Sequence, residues 1–368
     1  QTGVRRRGEK RRMVARQPRA RPGAVVERAS ERDDADEPAT LGRLANARLP
    51  LEQLSSLGHS RSIAERLVYA QRTMLVRLAY RTPLARDALI AFLALRAIPG
   101  VEEVSDDVYR RVVSIDGRTG VLTARLPHDR SEIELELDDE LTDVIEPVVE
   151  GARRIFDIAA DPAAIDATLA DDPRLRPLVE AIPGLRVPGA IDGFEVAVRA
   201  ILGQQISVAA ARTLTGRLAL MLGEPLADEV GTLRVAFPRP EAVAAASLAG
   251  LGVPASRSAT LVAVARAICE GRLDLSPGTD GEAARAALLA IRGVGPWTAD
   301  YVALRGLGDA DAFLPSDLVI RQVLAEGEAL PSPAAIERQS QRWRPWRAYA
   351  VVHLWVSAPS VRLARGAA

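Results

Sequence analysis

Lysine is almost missing from this 368-residue chain, and Lys10 is its single example. Chemistry that needs a lysine amine to form a Schiff base has no side chain to use beyond residue 10. Cysteine is equally scarce, with Cys269 alone. One thiol excludes a disulfide framework and any four-cysteine zinc or iron–sulfur centre built within this chain. Such poverty in cysteine fits a reducing cytoplasm. No apolar run approaches the length that spans a bilayer, so no membrane partner is expected. The N-terminus is arginine-rich but lacks the apolar core of a signal peptide. His59, His128 and His353 are dispersed, and no side-chain cluster points to a catalytic metal, so none is expected. Net charge is zero, which removes the overall basic excess common in nucleic-acid binders. A basic face remains open to the chain, because residues 1–30 and 338–365 are rich in arginine while acidic residues gather in 132–150. Aromatic residues make up only 4%, so each Trp and Tyr carries more information than usual.

What is present favours a large, mostly helical molecule. Apolar residues make up 48% of the chain, and its length suits two or three modules. Alanine, leucine and arginine dominate, all good helix formers.

Residues 1–72 carry no fold signature, and their Arg-rich, acidic and Pro-rich pieces read as a disordered or degenerate tail. Residues 73–187 read as a mixed α/β domain. Leu75–Arg81 alternates like a strand and Arg86–Ala97 has helical periodicity. Arg110–Ile115, Gly120–Leu126 and Ser131–Leu137 alternate between Asp-Gly and Pro-His-Asp turns, which predicts an antiparallel meander. Glu140–Asp157 and Ala164–Ala170 return to helix. From residue 188 to 368 the pattern reads almost entirely as helix, with Pro and Gly at nearly every junction. Predicted helices include Gly193–Gly203, Ser207–Met221, Ala255–Glu270, Gly281–Ile291, Pro296–Gly306, Ser316–Ala325 and Pro345–Val356. The fold class is therefore α+β: a small antiparallel-sheet domain, then a helical unit of two subdomains with a cleft between them.

The most informative stretch lies at 288–322. Helix, a tight Gly293-Val294-Gly295 turn and a second helix follow one another. Glycine accepts positive φ and lets main-chain N–H groups approach a partner closely. Those amides sit at a helix N-terminus, where donors are unpaired and the dipole favours an anion such as a nucleic-acid phosphate. Pro296 suits the first helical position because its missing N–H would go unused there. Asp317 follows Phe313-Leu314-Pro315-Ser316 some twenty residues later. Read by position alone it is a helix N-cap.

Gly-Val-Gly-Pro-Trp-Thr-Ala at 293–299 and Phe-Leu-Pro-Ser-Asp at 313–317 resemble the helix-hairpin-helix motif and catalytic aspartate of base-excision DNA glycosylases. Within that superfamily the chain most resembles bacterial DNA-3-methyladenine glycosylase II. Ala91-Phe92-Leu93-Ala94, Phe194-Glu195, Arg199 to Gln204, Trp343 to Arg347 and His353-Leu354-Trp355 follow in family order. The likeness runs from about Leu75 to the C-terminal region. The family breaks the N-glycosidic bond of a damaged deoxynucleotide, and the sugar gains oxocarbenium character as the base leaves. The resemblance makes Asp317 the catalytic carboxylate that stabilises this charge and orients water. It makes Trp297, Tyr301, Trp355 and Phe92 the substrate pocket, where electron-rich rings stack on a flipped, cationic base; packing in the core is the plainer alternative. It places Gln204 and Gln205 in a loop that enters the minor groove. Arg292, Gly293, Gly295 and Thr298 become candidate phosphate contacts. Arg321, Arg344 and Arg347 either line the DNA face or pair with carboxylates such as Glu195.

The implied activity is monofunctional hydrolysis of alkylated bases, 3-methyladenine type, in double-stranded DNA. Trp297 stands where bifunctional relatives keep a lysine, and no lysine exists elsewhere in the folded part. Leu318 and Val356 stand where some members have tyrosine, which leaves the lesion range open. Another lesion class, or a DNA-binding module without chemistry, are the alternatives. No cofactor is expected apart from a monovalent cation on the hairpin carbonyls. A monomer in the cytoplasm, associated with the nucleoid, is the expected state. In longer relatives a regulatory or alkyl-transfer module precedes the glycosylase; residues 1–72 have no cysteine to accept an alkyl group.

Overall fold

The computed structural model describes residues 73–358 and the backbone strand β1, Val25–Arg28. The reading of residues 1–72 as a tail falls, that strand apart, outside the described residues. The β1 backbone pairs antiparallel with β2, Thr73–Ala79, from Val25 opposite Arg77 to Arg28 opposite Met74.

The sheet continues through β3 (Glu102–Ser105), β4 (Val108–Ile115), β5 (Arg118–Arg125) and β6 (Glu132–Asp138). Its order is β1-β2-β6-β5-β4-β3, with every pairing antiparallel. β4 and β5 meet at Asp116-Gly117, both at positive φ, 49° and 75°. That pair of left-handed residues matches the twist of the two strands, which is why Asp-Gly makes so good a two-residue hairpin. β6 buries Ile133, Leu135 and Leu137 and turns its glutamates outward, where Glu134 and Glu136 meet Arg77 and Arg125. Helices α1 (Arg86–Arg96) and α2 (Ile145–Ile155) cover the inner face with Leu89, Leu93, Val148 and Ile155. The predicted helix over Glu140–Asp157 is broken, because a 3₁₀ turn at Asp139–Val144 precedes α2.

The helical unit comprises α3 (Pro162–Ala170), α4 (Arg176–Ala181), α5 (Gly193–Gly203), α6 (Val208–Leu222), α7 (Pro240–Ala245), α8 (Ala255–Cys269), α9 (Gly281–Leu289), α10 (Pro296–Arg305), α11 (Leu318–Val323), α12 (Pro333–Ser340) and α13 (Arg347–Ser357). It holds two hydrophobic cores. One gathers Phe194, Ile201, Leu218, Leu261, Leu288 and Val302. The other gathers Leu169, Leu175, Leu314, Ile320, Trp343 and Leu354. Tyr301 packs against both, so the α10 face that carries it lies where the two cores meet. Among the described residues no helix is long and apolar enough to cross a membrane.

Residues 188 onward are mostly helix, as expected, with one exception: β7 (Pro225–Val230) and β8 (Leu233–Val235) form a small hairpin. It packs Leu233 and Ala236 on Val112 and Val121 of the sheet domain. Its turn is tied to that domain by the Thr232 N–H and hydroxyl, which donate to Glu103 Oε2 at 2.8 and 2.7 Å.

Candidate active site

α10 begins where its sequence predicts. Gly295 is the N-cap and Pro296 the first helical residue. Gly293, at φ 94°, makes the turn. A Cβ there would stand 2.1 Å from the Thr260 hydroxyl, so only glycine fits. α8 supports the turn from behind through the same hydroxyl, which donates to the Arg292 carbonyl at 3.1 Å. At the first turn of α10 the amides of Trp297 and Thr298 have no acceptor within the helix. Arg292 is exposed beside them. The Thr298 side chain is buried, so its contribution to an anion site is its amide and not its hydroxyl.

Gln204 caps α5 and reaches across to this turn. Its Nε2 donates to the Gly293 carbonyl at 3.1 Å and to the Thr298 hydroxyl at 3.0 Å. Arg257 fixes its carbonyl from the other side at 2.9 Å. Gln204 is thus a clamp between loop and hairpin. Gln205, the next residue, is exposed and left-handed at φ 58°. Ile206 and Val208, which follow it in the chain, are 36% and 40% exposed. The structure therefore separates two glutamines that the sequence treats alike.

Three carbonyls of the hairpin each accept one hydrogen bond: Val294 N–H bonds that of Ile291, Thr260 that of Arg292 and Gln204 that of Gly293. Among the described residues no group of three or more His, Cys, Asp or Glu could hold a metal.

Asp317 caps α11, its Oδ1 accepting from the Ile320 N–H at 3.0 Å. The N-cap reading is therefore correct, and it is not the whole role. The same carboxylate receives two indoles: Trp297 Nε1 donates to Oδ2 at 2.8 Å and Trp355 Nε1 to Oδ1 at 3.3 Å. Three N–H groups converge on one buried carboxylate, 7% exposed. All three are uncharged donors, and among the described residues Asp317 has no salt-bridge partner. The rings continue inward. Trp297 stacks on Tyr301 with centroids 5.1 Å apart and planes 22° from parallel, and Tyr301 meets Trp355 at 6.0 Å. Leu318, 55% exposed, stands next to Asp317 in the chain.

Phe92 is present from α1, but one face of its ring is occupied. Arg96 lies over it, 3.7 Å from the centroid, and Arg305 stands at 5.1 Å. Arg305 was not foreseen as part of the site. It donates to the Tyr301 hydroxyl at 3.0 Å and is anchored on the Pro188 and Gly189 carbonyls at 2.7 and 3.0 Å. Arg96 also escaped the sequence reading, since it comes from the other domain.

Glu195 pairs with neither Arg344 nor Arg347. Its partners are Arg111, at 2.7 Å, and Arg199. Arg199 also bonds Glu102 at 2.6 Å, so β3, β4 and α5 share one buried ionic cluster. Burial would raise the Glu195 carboxyl, but Arg111 and Arg199 outweigh it and hold it at about 2. Arg347 and Arg344 pair with Asp311 at 2.9 and 2.6 Å, and Arg347 also takes Glu337. Arg321 Nε donates to the Pro331 carbonyl at 3.0 Å.

The structure superposes on a 3-methyladenine DNA glycosylase from Archaeoglobus fulgidus with a TM-score of 0.64 at 22% identity, covering 76% of this chain and 97% of the other. It superposes on the Clostridium acetobutylicum 8-oxoguanine glycosylase/lyase bound to double-stranded DNA with a TM-score of 0.59 at 16% identity, covering 78% and 95%. At those identities the likeness establishes the fold. The sequence is more specific. The model of the AlkA N-terminal domain matches residues 75–192. The chain is 39% identical to DNA-3-methyladenine glycosylase 2 of Escherichia coli over 270 residues, 73% of this chain and 92% of that protein. The chain belongs to the DNA-3-methyladenine glycosylase II family. It is also 42% identical, over 286 residues, to a probable bifunctional transcriptional activator/DNA repair enzyme of Mycobacterium tuberculosis, and spans 57% of that protein's length.

Proposed function

We propose that the protein is a monofunctional DNA glycosylase that hydrolyses the N-glycosidic bond of alkylated bases, 3-methyladenine type, in double-stranded DNA, and so begins base-excision repair. The observation that carries this reading is the Asp317 carboxylate, buried, without a salt-bridge partner among the described residues and held by two indole N–H groups at the end of a three-ring stack. A protein that only binds DNA gains nothing from a carboxylate facing phosphates.

The duplex docks on the hairpin. The amides at Gly295, Trp297 and Thr298 and the side chain of Arg292 meet backbone phosphate, with the helix dipole behind them. The loop at Gln204 and Gln205 enters the minor groove, where Gln205 fills the gap of the extruded nucleotide and bonds its orphaned partner. The extruded base stacks among Trp297, Tyr301 and Trp355. A cationic base gains from electron-rich faces and leaves as a neutral molecule. As the bond to C1′ lengthens, the sugar becomes positive and Asp317 stabilises it. Water then adds at C1′, and its proton passes to Asp317. Position 297 is Trp, and among the described residues there is no lysine to replace water. The sugar–phosphate strand is accordingly left intact. The 42% identity to a mycobacterial repair enzyme and the 39% identity to the Escherichia coli glycosylase support the substrate class.

The test is release of free methylated base from a duplex, with and without alkali treatment of the product. The expected result is base release with strand breakage only after alkali. Breakage without alkali overturns the monofunctional reading.

A further inference from the structure

Beside the hairpin lies a groove that the mechanism above does not use. It encloses about 640 Å³ and runs along one face of α8, between Leu248 and Ile291. Its floor on α8 is Ala259, Val262 and Ala263, small apolar side chains at helical spacing that do not fill the space above them. That volume falls in the usual range of ligand sites, about 300–1,000 Å³. The rim is cationic. Arg266 stands in the last turn of α8 and Arg292 at the hairpin, and both are exposed. Neither has a carboxylate partner among the described residues. Neighbouring arginines are committed elsewhere: Arg257 to the Gln204 carbonyl at 2.9 Å, Arg285 to Asp300 at 2.7 Å and Arg305 to the Pro188 and Gly189 carbonyls. Glu270, the acidic side chain of the lining, is held by Arg272. Arg266, Arg272 and Arg292 against Glu270 leave the lining with a net charge of +2.

Floor and rim together select the occupant. A phosphate pairs with guanidinium but gains nothing from an apolar floor. A purely apolar ligand covers the floor and leaves both arginines unpaired. A short acidic segment carrying an apolar side chain satisfies both. We infer that the groove is a docking site for such a segment of a partner protein. From Ala259 to Glu270 the α8 face runs about 16 Å, at 1.5 Å per residue. An extended peptide covers that length with about five residues. Its apolar side chain rests on Val262, Ala263 and Ile291, and its carboxylates meet Arg266 and Arg292. Under the glycosylase reading Arg292 also meets a backbone phosphate. One guanidinium does not serve both, so segment and duplex compete, and each weakens the other by the same factor. The partner is therefore held by the free protein and released as DNA is engaged. Only this competition rests on the glycosylase reading; the docking itself asks nothing of Asp317.

The probe is a fluorescent synthetic peptide in which four aspartates flank a central leucine and phenylalanine. Its counterpart has asparagine for every aspartate. Anisotropy titrations with the full chain are expected to show saturable binding of the acidic probe and much weaker binding of the counterpart. Arg266→Glu, on the exposed rim, is expected to weaken the acidic probe by about 5- to 10-fold. It should leave duplex affinity and base release at the native level. Ala263→Glu, which puts a carboxylate on the floor, is expected to abolish probe binding, and undamaged duplex should displace the probe from the native chain. Equal affinity for the two peptides, or a probe indifferent to Arg266→Glu, overturns the inference. So does an Arg266→Glu chain that binds duplex more weakly, with the slope of log affinity against log salt reduced by about 0.9; the groove then holds a DNA phosphate. Probe and duplex bound together without mutual weakening overturn the competition. A native chain that binds the probe but releases no methylated base defeats the glycosylase reading and leaves the docking site standing.

Discussion

Replacing Gly293 by alanine tests whether the hairpin turn is as constrained as its geometry requires. Two costs are separable. The backbone at φ 94° lies in a region that a side chain disfavours by about 1–2 kcal/mol. The new Cβ also falls 2.1 Å from Thr260 Oγ1 and 3.2 Å from Thr260 Cβ and Cγ2. Thr260 is buried, and its hydroxyl bonds the Ser256 and Arg292 carbonyls, so moving it sacrifices about 1 kcal/mol of hydrogen bonding plus some overpacking strain. Reduced freedom in the unfolded chain returns about 0.5–1 kcal/mol. The net expectation is a destabilisation of about 2–4 kcal/mol in a urea titration, with unchanged slope. Thr260→Ala removes the 2.1 Å clash but not the backbone strain. The double variant should therefore recover about 1 kcal/mol relative to additivity. A Gly293→Ala chain within about 0.5 kcal/mol of native, or strictly additive variants, would refute this reasoning.

The remaining predictions concern charge. Glu195→Gln leaves Arg111 and Arg199 buried with less compensation, and should lower stability by about 3–5 kcal/mol in the same titration. Asp143→Asn, which removes the exposed partner of Arg118, should change it by less than about 1 kcal/mol. His353 is buried with both ring nitrogens unpartnered, and burial lowers it from 6.5 to about 4. Its folded value lies below its unfolded one, so the neutral ring's contribution is complete above pH 6.5 and declines as pH falls toward 4. The loss approaches about 3 kcal/mol across that window. His353→Leu should flatten the decline. The difference between the two chains isolates it from Asp157, whose carboxyl burial raises to about 6 and whose effect has the opposite sign.

Much of this site was legible because its residues are local. Trp297 and Tyr301 are four apart on one helix, Gly293 and Gly295 bracket a turn, and Asp317 precedes a short apolar run. The Asp-Gly hairpin and the alternation of β6 are likewise short-range patterns that the structure keeps. Distant partners were not legible. Arg96 meets Tyr301 only because the sheet domain docks on α10, whereas Arg305, four residues after Tyr301 on the same helix, is a local partner that the spacing could have shown. β7 carries little strand signal of its own, since Pro225, Asp228 and Glu229 are poor strand formers. It pairs because Glu103 and the Gly100 carbonyl, which takes the Arg234 N–H at 2.7 Å, hold it from another domain. Arg344 and Arg347 had two possible uses, and Asp311 decided between them.

The most direct test of the account is excision by Asp317→Asn beside the native chain on a duplex carrying a methylated purine. Asparagine keeps one oxygen for the Ile320 N–H and the Trp355 indole and gives up the Trp297 bond, so the fold and lesion binding should survive while base release is lost. Retained excision by a folded Asp317→Asn chain contradicts the assignment of Asp317 as the catalytic carboxylate.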